Sequence, residues 1–169
     1  MQFYDGGTEM MSLASGDISM TGKINITSTF SRNVCIGTWS SGNPDVSGCI
    51  DNIVIGVEAG NAMESGAIKN VLIGPYAGEL LETGYTNVAV GYGALAKQVA
   101  GYANTCIGPL AGNYIINGFA CICIGNNAGR LLESAQGCLY IGSFTTASSV
   151  NVFNETVIAG GAVLTAVTG

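Results

Sequence analysis

A short motif repeated along most of the chain limits its possible folds more than any other feature. An Ile-Gly or Val-Gly pair recurs seven times, and its glycines are Gly37, Gly56, Gly74, Gly91, Gly108, Gly125 and Gly142. These glycines are spaced 19, 18, 17, 17, 17 and 17 residues apart. An eighth unit carries Ile158 seventeen residues after Ile141, with Ala159 in place of the glycine. A period this regular predicts a repeat protein whose units pack mainly against their neighbours.

Further positions keep the register of this pair. The residue three before the Ile or Val is asparagine in the first five units, at Asn33, Asn52, Asn70, Asn87 and Asn104. The same position then becomes Cys121, Cys138 and Glu155. An Ala-Gly pair follows at 59–60, 77–78, 111–112 and 128–129, and another glycine stands at 66, 84, 101 and 118. The consensus N-x-x-I-G-x-x-A-G, followed by a glycine, is therefore specific as a repeat.

Each unit predicts one short strand that ends in a glycine turn. The residues of 70–73 are mostly β-branched or apolar, and Gly74 follows at once. Glycine at this point permits a positive φ that other residues disfavour. The expected fold is all-β, a repetitive β-solenoid or β-helix-like fibre with one strand-turn unit per 17–18 residues. With neighbouring strands about 4.8 Å apart, eight units make a rod of roughly 35 Å, with Ile73 and Val90 on neighbouring turns.

The repeat also sets the expected domain organisation. Residues 1–31 are interpreted as a lead-in segment, and residues 32–169 as a repeat domain of eight units. The remainder of each unit carries a second apolar pair, as at Leu80-Leu81. Periodicity over so few residues leaves open whether this pair belongs to a helical turn or to a second strand.

The strand positions predict burial on both sides. The residue two before the Ile or Val is apolar in most units, and we expect this column to point into a core. It comprises Val34, Ile53, Val71, Val88, Thr105, Ile122, Leu139 and Thr156. The residue between this column and the repeat Ile or Val faces the opposite way and is also mostly apolar. Because a single-chain solenoid would leave one of these faces in water, the pattern favours an oligomer.

Composition points to the same conclusion. The chain is 48% hydrophobic and only 9% charged, whereas an ordinary soluble domain has about 25% charged residues.

The net charge is −6, and the five Lys and Arg residues do not cluster, which argues against nucleic-acid binding. Residues 1–7 do not form a signal peptide, and the longest apolar run, 157–167, is too short to span a bilayer. We therefore expect no membrane insertion.

The repeats resemble a known family. Residues 70–78, Asn-Val-Leu-Ile-Gly-Pro-Tyr-Ala-Gly, resemble the N-T-A-I-G-Y-x-A units of bacteriophage tail fibres, over roughly residues 33 to 160. Related units occur in the heads of trimeric autotransporter adhesins. Residues 6–18 also resemble the G-G-T-E-R-M-x-I-x-S-x-G segment that leads into such repeats in tail fibres, with Met10 in place of Arg. The second similarity favours a phage fibre over an adhesin.

The resemblance implies a homotrimeric structural component of a virion tail fibre, assembled in the host cytoplasm. Its implied partners are itself, other virion tail proteins and a host cell-surface receptor, for which a glycan is one candidate. The alternative is a bacterial surface adhesin head. A polysaccharide-degrading tailspike is less favoured.

Catalytic chemistry has few candidate residues. The sequence has no histidine, which removes the commonest general base and metal ligand. Glu64 and Glu82 occupy equivalent positions of neighbouring units, and Glu133 repeats that position without a neighbour. A carboxylate pair suits glycosidic cleavage, but a solvated edge is the favoured interpretation. We expect no enzyme activity, no cofactor and no metal.

Three aromatic residues stand two positions after a repeat glycine, namely Trp39, Tyr76 and Phe144. They are candidate contacts for a glycan, although packing is the favoured interpretation. The cysteines also fall in register, since Cys106 and Cys123 share one repeat position and Cys121 and Cys138 share another. Stacked units would bring each pair close to disulfide range. Buried free thiols are the favoured interpretation.

Overall fold

A computed structural model describes residues 33–37, 48–130 and 132–158, together with the backbone of 167–168. The proposed lead-in segment, 1–31, lies outside the described residues. The elements form one nine-stranded sheet in chain order. Its strands are β1 Val34–Ile36, β2 Ile53–Ile55, β3 Val71–Ile73, β4 Val88–Val90, β5 Thr105–Ile107, β6 Ile122–Ile124, β7 Leu139–Ile141, β8 Glu155–Ile158 and β9 Val167–Thr168.

The first eight strands pair in parallel, each with the next along the chain. Parallel neighbours require the chain to return to its starting edge between strands, and the 17–19 residues of each unit make this circuit. Each unit is thus one turn of a β-solenoid, called a rung below. Ile73 pairs with Val90 in register, which confirms the predicted stacking. β9 pairs antiparallel with β8 at the far edge of the sheet.

A second line of contact between rungs lies outside the named strands. It consists of single-residue parallel bridges that join Ile50, Ile68, Tyr85, Tyr102, Phe119, Gln136 and Phe153 in succession. Turns fill the rest of each rung, and the described residues contain no helix. The second apolar pair therefore belongs to a turn, with Leu81 buried and Leu80 46% exposed.

The prediction of which strand residues point into the core was wrong. The middle residue of each strand points inward, as Leu72, Ala89 and Tyr140 show with 0% exposure. The column that begins at Val34 and Ile53 points outward and is partly exposed. Both columns are apolar, so their composition could not reveal which one faces the interior. Within the chain, each strand is buried on one face only.

The large side chain that fills the interior comes from different positions in neighbouring rungs. In the third rung, Leu72 fills the space beside Gly78, where an added Cβ would lie 2.9 Å from the Leu72 side chain. In the fourth rung the strand supplies only Ala89, and Leu95 replaces the corner glycine. Leu95 is fully buried and adopts φ 52°. The large side chain therefore enters from the corner in that rung and from the strand in its neighbour.

A ladder of asparagine side chains runs through the interior. The Asn70 Oδ1 accepts hydrogen bonds from the Asn87 backbone N–H at 2.9 Å and from Asn87 Nδ2 at 3.2 Å. Asn87 Nδ2 also donates to the Gly101 carbonyl at 2.8 Å. The same arrangement recurs at Asn52, Asn70 and Asn104. Each buried amide thus finds partners on its own rung and the rung before, which offsets the cost of burying it.

We expect Asn87→Asp to destabilise the protein by about 3 kcal/mol or more, because it leaves a buried carboxylate without donors to Asn70 Oδ1 and the Gly101 carbonyl. The matched control is Asn117→Asp, which makes the same change at an exposed residue and should stay within about 0.5 kcal/mol of wild type. Chemical denaturation at pH 7 measures both. Equal stabilities of the two variants would contradict a structural role for the ladder.

One buried side chain has no hydrogen-bond partner among the described residues. Gln98 is 0% exposed, and neither its Nε2 nor its Oε1 is paired. It occupies the inward column that holds Leu81, Ile115 and Leu132 in neighbouring rungs. An unpaired buried amide costs stability without a compensating bond.

Gln98→Leu should therefore raise the free energy of unfolding by about 1 to 3 kcal/mol. The reverse change in the same column, Leu132→Gln, should lower it. Thermal unfolding monitored by circular dichroism measures both shifts. A Gln98→Leu variant less stable than wild type would show that the amide has a partner.

Candidate functional site

The outward face of the strands is the most extensive candidate surface. Two residues of each strand point outward, and over β1 to β8 they are Ile, Val or Leu except at Thr105 and Thr156. None of them is charged. Exposure reaches 55% at Ile36, 39% at Ile107 and 40% at Ile122. A continuous exposed apolar surface of this kind is typical of a protein interaction site.

The repeat glycines lie at one edge of this face. All seven have positive φ, from 122° at Gly142 to 146° at Gly37. Successive glycines also stack closely, because a Cβ added at Gly91 would lie 2.7 Å from the Gly108 carbonyl group. Both the backbone conformation and the lack of space explain why glycine recurs here.

We expect Gly91→Ala to destabilise the fold twice over, by roughly 1 to 3 kcal/mol from the positive φ and by a similar amount from overpacking. Gly66→Ala separates the two effects. Gly66 also has positive φ, at 111°, but an added Cβ would meet only Thr83 side-chain atoms, at 3.7 Å and beyond. It should therefore show the first cost alone. Urea unfolding measures the difference, and equal losses would exclude the steric contribution.

The three aromatic candidates are not brought together. Trp39 lies outside the described residues. Tyr76 is half-buried in the third rung, whereas Phe144 is 62% exposed in the seventh rung. Both residues occupy the same corner, with φ 59°. Four rungs separate them, so they do not form one site.

Other aromatic residues do form clusters, and the sequence analysis missed them. Tyr85 and Tyr102 stack with ring centroids 4.8 Å apart and planes within 1°. Phe119 continues the stack at 4.9 Å and 8°. Their spacing of seventeen residues was the signal that indicates this arrangement. Because the rings cover one another, their faces are largely unavailable to a ligand.

A second cluster lies on the turns of rungs three to five. Tyr76 and Tyr92 meet edge to face, with centroids 5.7 Å apart. Lys97 Nζ lies 4.0 Å from the centroid of the Tyr114 ring. The surface formed by Pro75, Tyr76, Tyr92, Lys97, Pro109 and Tyr114 is called the tyrosine patch below. Tyr92 is its most exposed aromatic residue, at 54%.

The carboxylate pair is placed on neighbouring rungs. The Glu64 backbone N–H donates to the Glu82 carbonyl at 2.8 Å, and both side chains are exposed. Glu133 is also exposed and lies three rungs beyond Glu82. In the part of the chain that the structure describes, no group of three or more His, Cys, Asp or Glu residues is arranged to hold a metal ion.

The cysteines continue the asparagine ladder with sulfur. The Cys121 backbone N–H donates to Asn104 Oδ1 at 2.9 Å, and the Cys121 and Cys138 thiols lie within hydrogen-bond range of main-chain carbonyls. Cys49, Cys106, Cys121, Cys123 and Cys138 are free thiols in the described part of the chain. Burial raises the pKa of the Cys121 thiol to about 12, although a backbone hydrogen bond from Cys138 acts in the opposite direction. Thiols held protonated in this way are poor nucleophiles.

A buried carboxylate ends the ladder near the last parallel strand. Glu155 is 2% exposed and accepts a hydrogen bond from the Tyr140 hydroxyl. The Ser148 backbone N–H lies 3.2 Å from both Glu155 carboxylate oxygens. Burial and the bond to Glu155 raise the pKa of the Tyr140 hydroxyl. These hydrogen bonds give the buried carboxyl group its partners.

Comparisons with known proteins give no relative: family models, curated proteins and solved structures were each searched without a match. The described residues also contain no helix long and apolar enough to cross a membrane.

Proposed function

We propose that this chain is a structural segment of a phage virion fibre, a homotrimeric rod that contributes to host-cell attachment. The observation that carries the proposal is the uncharged face of the eight parallel strands, which is apolar except at Thr105 and Thr156. The tail-fibre resemblance of the repeats supplies the biological setting and the number of chains.

The outward face explains why the chain self-associates. Charged residues of the second and third rungs lie outside the strands: Glu58 and Glu79 are on turns, and Glu64, Lys69 and Glu82 are exposed elsewhere on the circuit. Burial of apolar surface contributes about 25 cal/mol per Å², and the same contact recurs at every rung. Charge depletion at the centre is typical of interfaces between proteins. A second copy of the chain offers an apolar surface with the same spacing between rungs.

The remaining architecture suits a rod that sets distance. One rung adds about 4.8 Å of length, and β1 and β9 lie at opposite edges of the sheet. The proposed fibre has no catalytic role. It holds its exposed turns at a fixed distance from the particle.

We expect Ile124→Lys to disrupt the trimer, because it places a charge in the apolar face. Ile124 is 36% exposed. The matched control is Val150→Lys, since Val150 is 40% exposed but lies outside that face. Light scattering after gel filtration should give three times 17.1 kDa for wild type and for the control. The Ile124 variant should give a smaller mass or aggregate. A folded wild-type monomer at micromolar concentration would contradict the proposal.

The setting in a virion needs its own test. Mass spectrometry of purified phage particles should detect the chain among their proteins. Its recovery from a bacterial envelope fraction, without any phage particle, would instead support the adhesin head.

A further inference from the structure

The turns of rungs three to five carry a surface that breaks the repeat. In the position after the repeat glycine they hold Pro75, Tyr92 and Pro109, all exposed. In rungs six and seven the same position holds Asn126 and Ser143. Six residues after the repeat glycine stand Leu80, Lys97 and Tyr114, which are also exposed. Aromatic and proline side chains are thus concentrated within three consecutive rungs.

The concentration is local, and this distinguishes it from the strand face. A contact between parallel copies of a solenoid repeats at every rung, as the outward Ile and Val columns do. The tyrosine patch covers three rungs of eight, and at the same positions of rungs six and seven the only aromatic residue is Phe144, which corresponds to Tyr76. A surface confined to three of the described rungs fits a ligand that binds at one place on the chain.

Its side chains are held in place before any ligand binds. The Tyr92 ring packs edge to face against Tyr76 at 5.7 Å, a geometry that stabilises aromatic pairs. The ammonium of Lys97 rests over the Tyr114 ring at 4.0 Å, which fixes a long and otherwise mobile side chain. Preorganised groups lose less conformational entropy on binding.

From this geometry we infer that the tyrosine patch binds a saccharide of the host surface, which deepens the proposed role in attachment and rests on it. A sugar ring has an apolar face of C–H groups and a rim of hydroxyls. Tyr92, 54% exposed, offers an aromatic face with a hydroxyl at its tip. Lys97 donates hydrogen bonds to saccharide oxygens, whether hydroxyl or carboxylate. Pro75 and Pro109 occupy the position of Tyr92 on the adjoining rungs.

The stacked ladder of Tyr85, Tyr102 and Phe119 does not offer the same contact. Its rings lie 4.8 and 4.9 Å apart and cover each other's faces. Tyr85 nevertheless has an exposure of 44%, close to that of Tyr92. It is therefore the matched control for a tyrosine-to-alanine change on this rod.

The test uses the full chain on an array of bacterial surface saccharides that includes neutral and carboxylate-bearing oligosaccharides. Wild type should be retained by at least one saccharide. Tyr92→Ala should weaken that binding at least tenfold, and Lys97→Gln should weaken it most where the saccharide carries a carboxylate. Tyr85→Ala should bind as wild type does. Light scattering on the same samples establishes that all variants keep the wild-type mass.

Three results would overturn the inference: no saccharide retained by wild type, retention that survives Tyr92→Ala, or equal losses for the Tyr85 and Tyr92 variants. Binding to a protein receptor alone would also overturn it. None of these results bears on the trimer, whose failure would appear as a monomeric wild type in the scattering measurement.

Discussion

In-register stacking of backbone turns is the constraint on which the rest of this structure depends. Each rung hydrogen-bonds to the next through its strand and its corners, as when Val71 N–H donates to the Asn87 carbonyl at 2.8 Å. Every position must therefore tolerate an equivalent residue about 4.8 Å away. This is why glycine recurs where Gly91 approaches Gly108. It is also why corners such as Lys69 and Thr86 keep positive φ without being glycine, at a cost of about 1 to 2 kcal/mol each.

The interior shows how the repeat tolerates variation under this constraint. Asparagine amides form a continuous ladder from Asn33 to Asn104, and sulfur replaces them at Cys121 and Cys138. The column ends at Glu155, whose carboxylate is held by Tyr140 and Ser148. The asparagine pattern thus decays toward the last parallel strand. The interior thus changes chemistry along the rod while the backbone circuit stays the same.

Two kinds of surface follow from one periodic backbone. The outward strand residues repeat with each rung and carry no charge, which suits contact with an equally periodic partner. The tyrosine patch is confined to three rungs, where Tyr76 meets Tyr92 and Lys97 lies over the Tyr114 ring. The proposed self-association therefore uses strand residues, whereas the proposed ligand contact uses turn residues. Variation on the turns leaves the stacking core unchanged.

The sequence by itself determined the period, the strand positions and the glycine turns, because the stacking constraint acts on each unit separately and leaves the same residues in each. The repeat pattern does not determine which face of each strand points inward, or which aromatic residues contact one another. Val34 and Cys35 are both apolar, and only the closed circuit of the chain decides that the second column, at Val54 and Leu72, faces inward. Likewise Tyr76 meets Tyr92, sixteen residues away, only because two rungs lie side by side. Contacts between rungs depend on how each turn of the chain closes, and only the tertiary structure decides this.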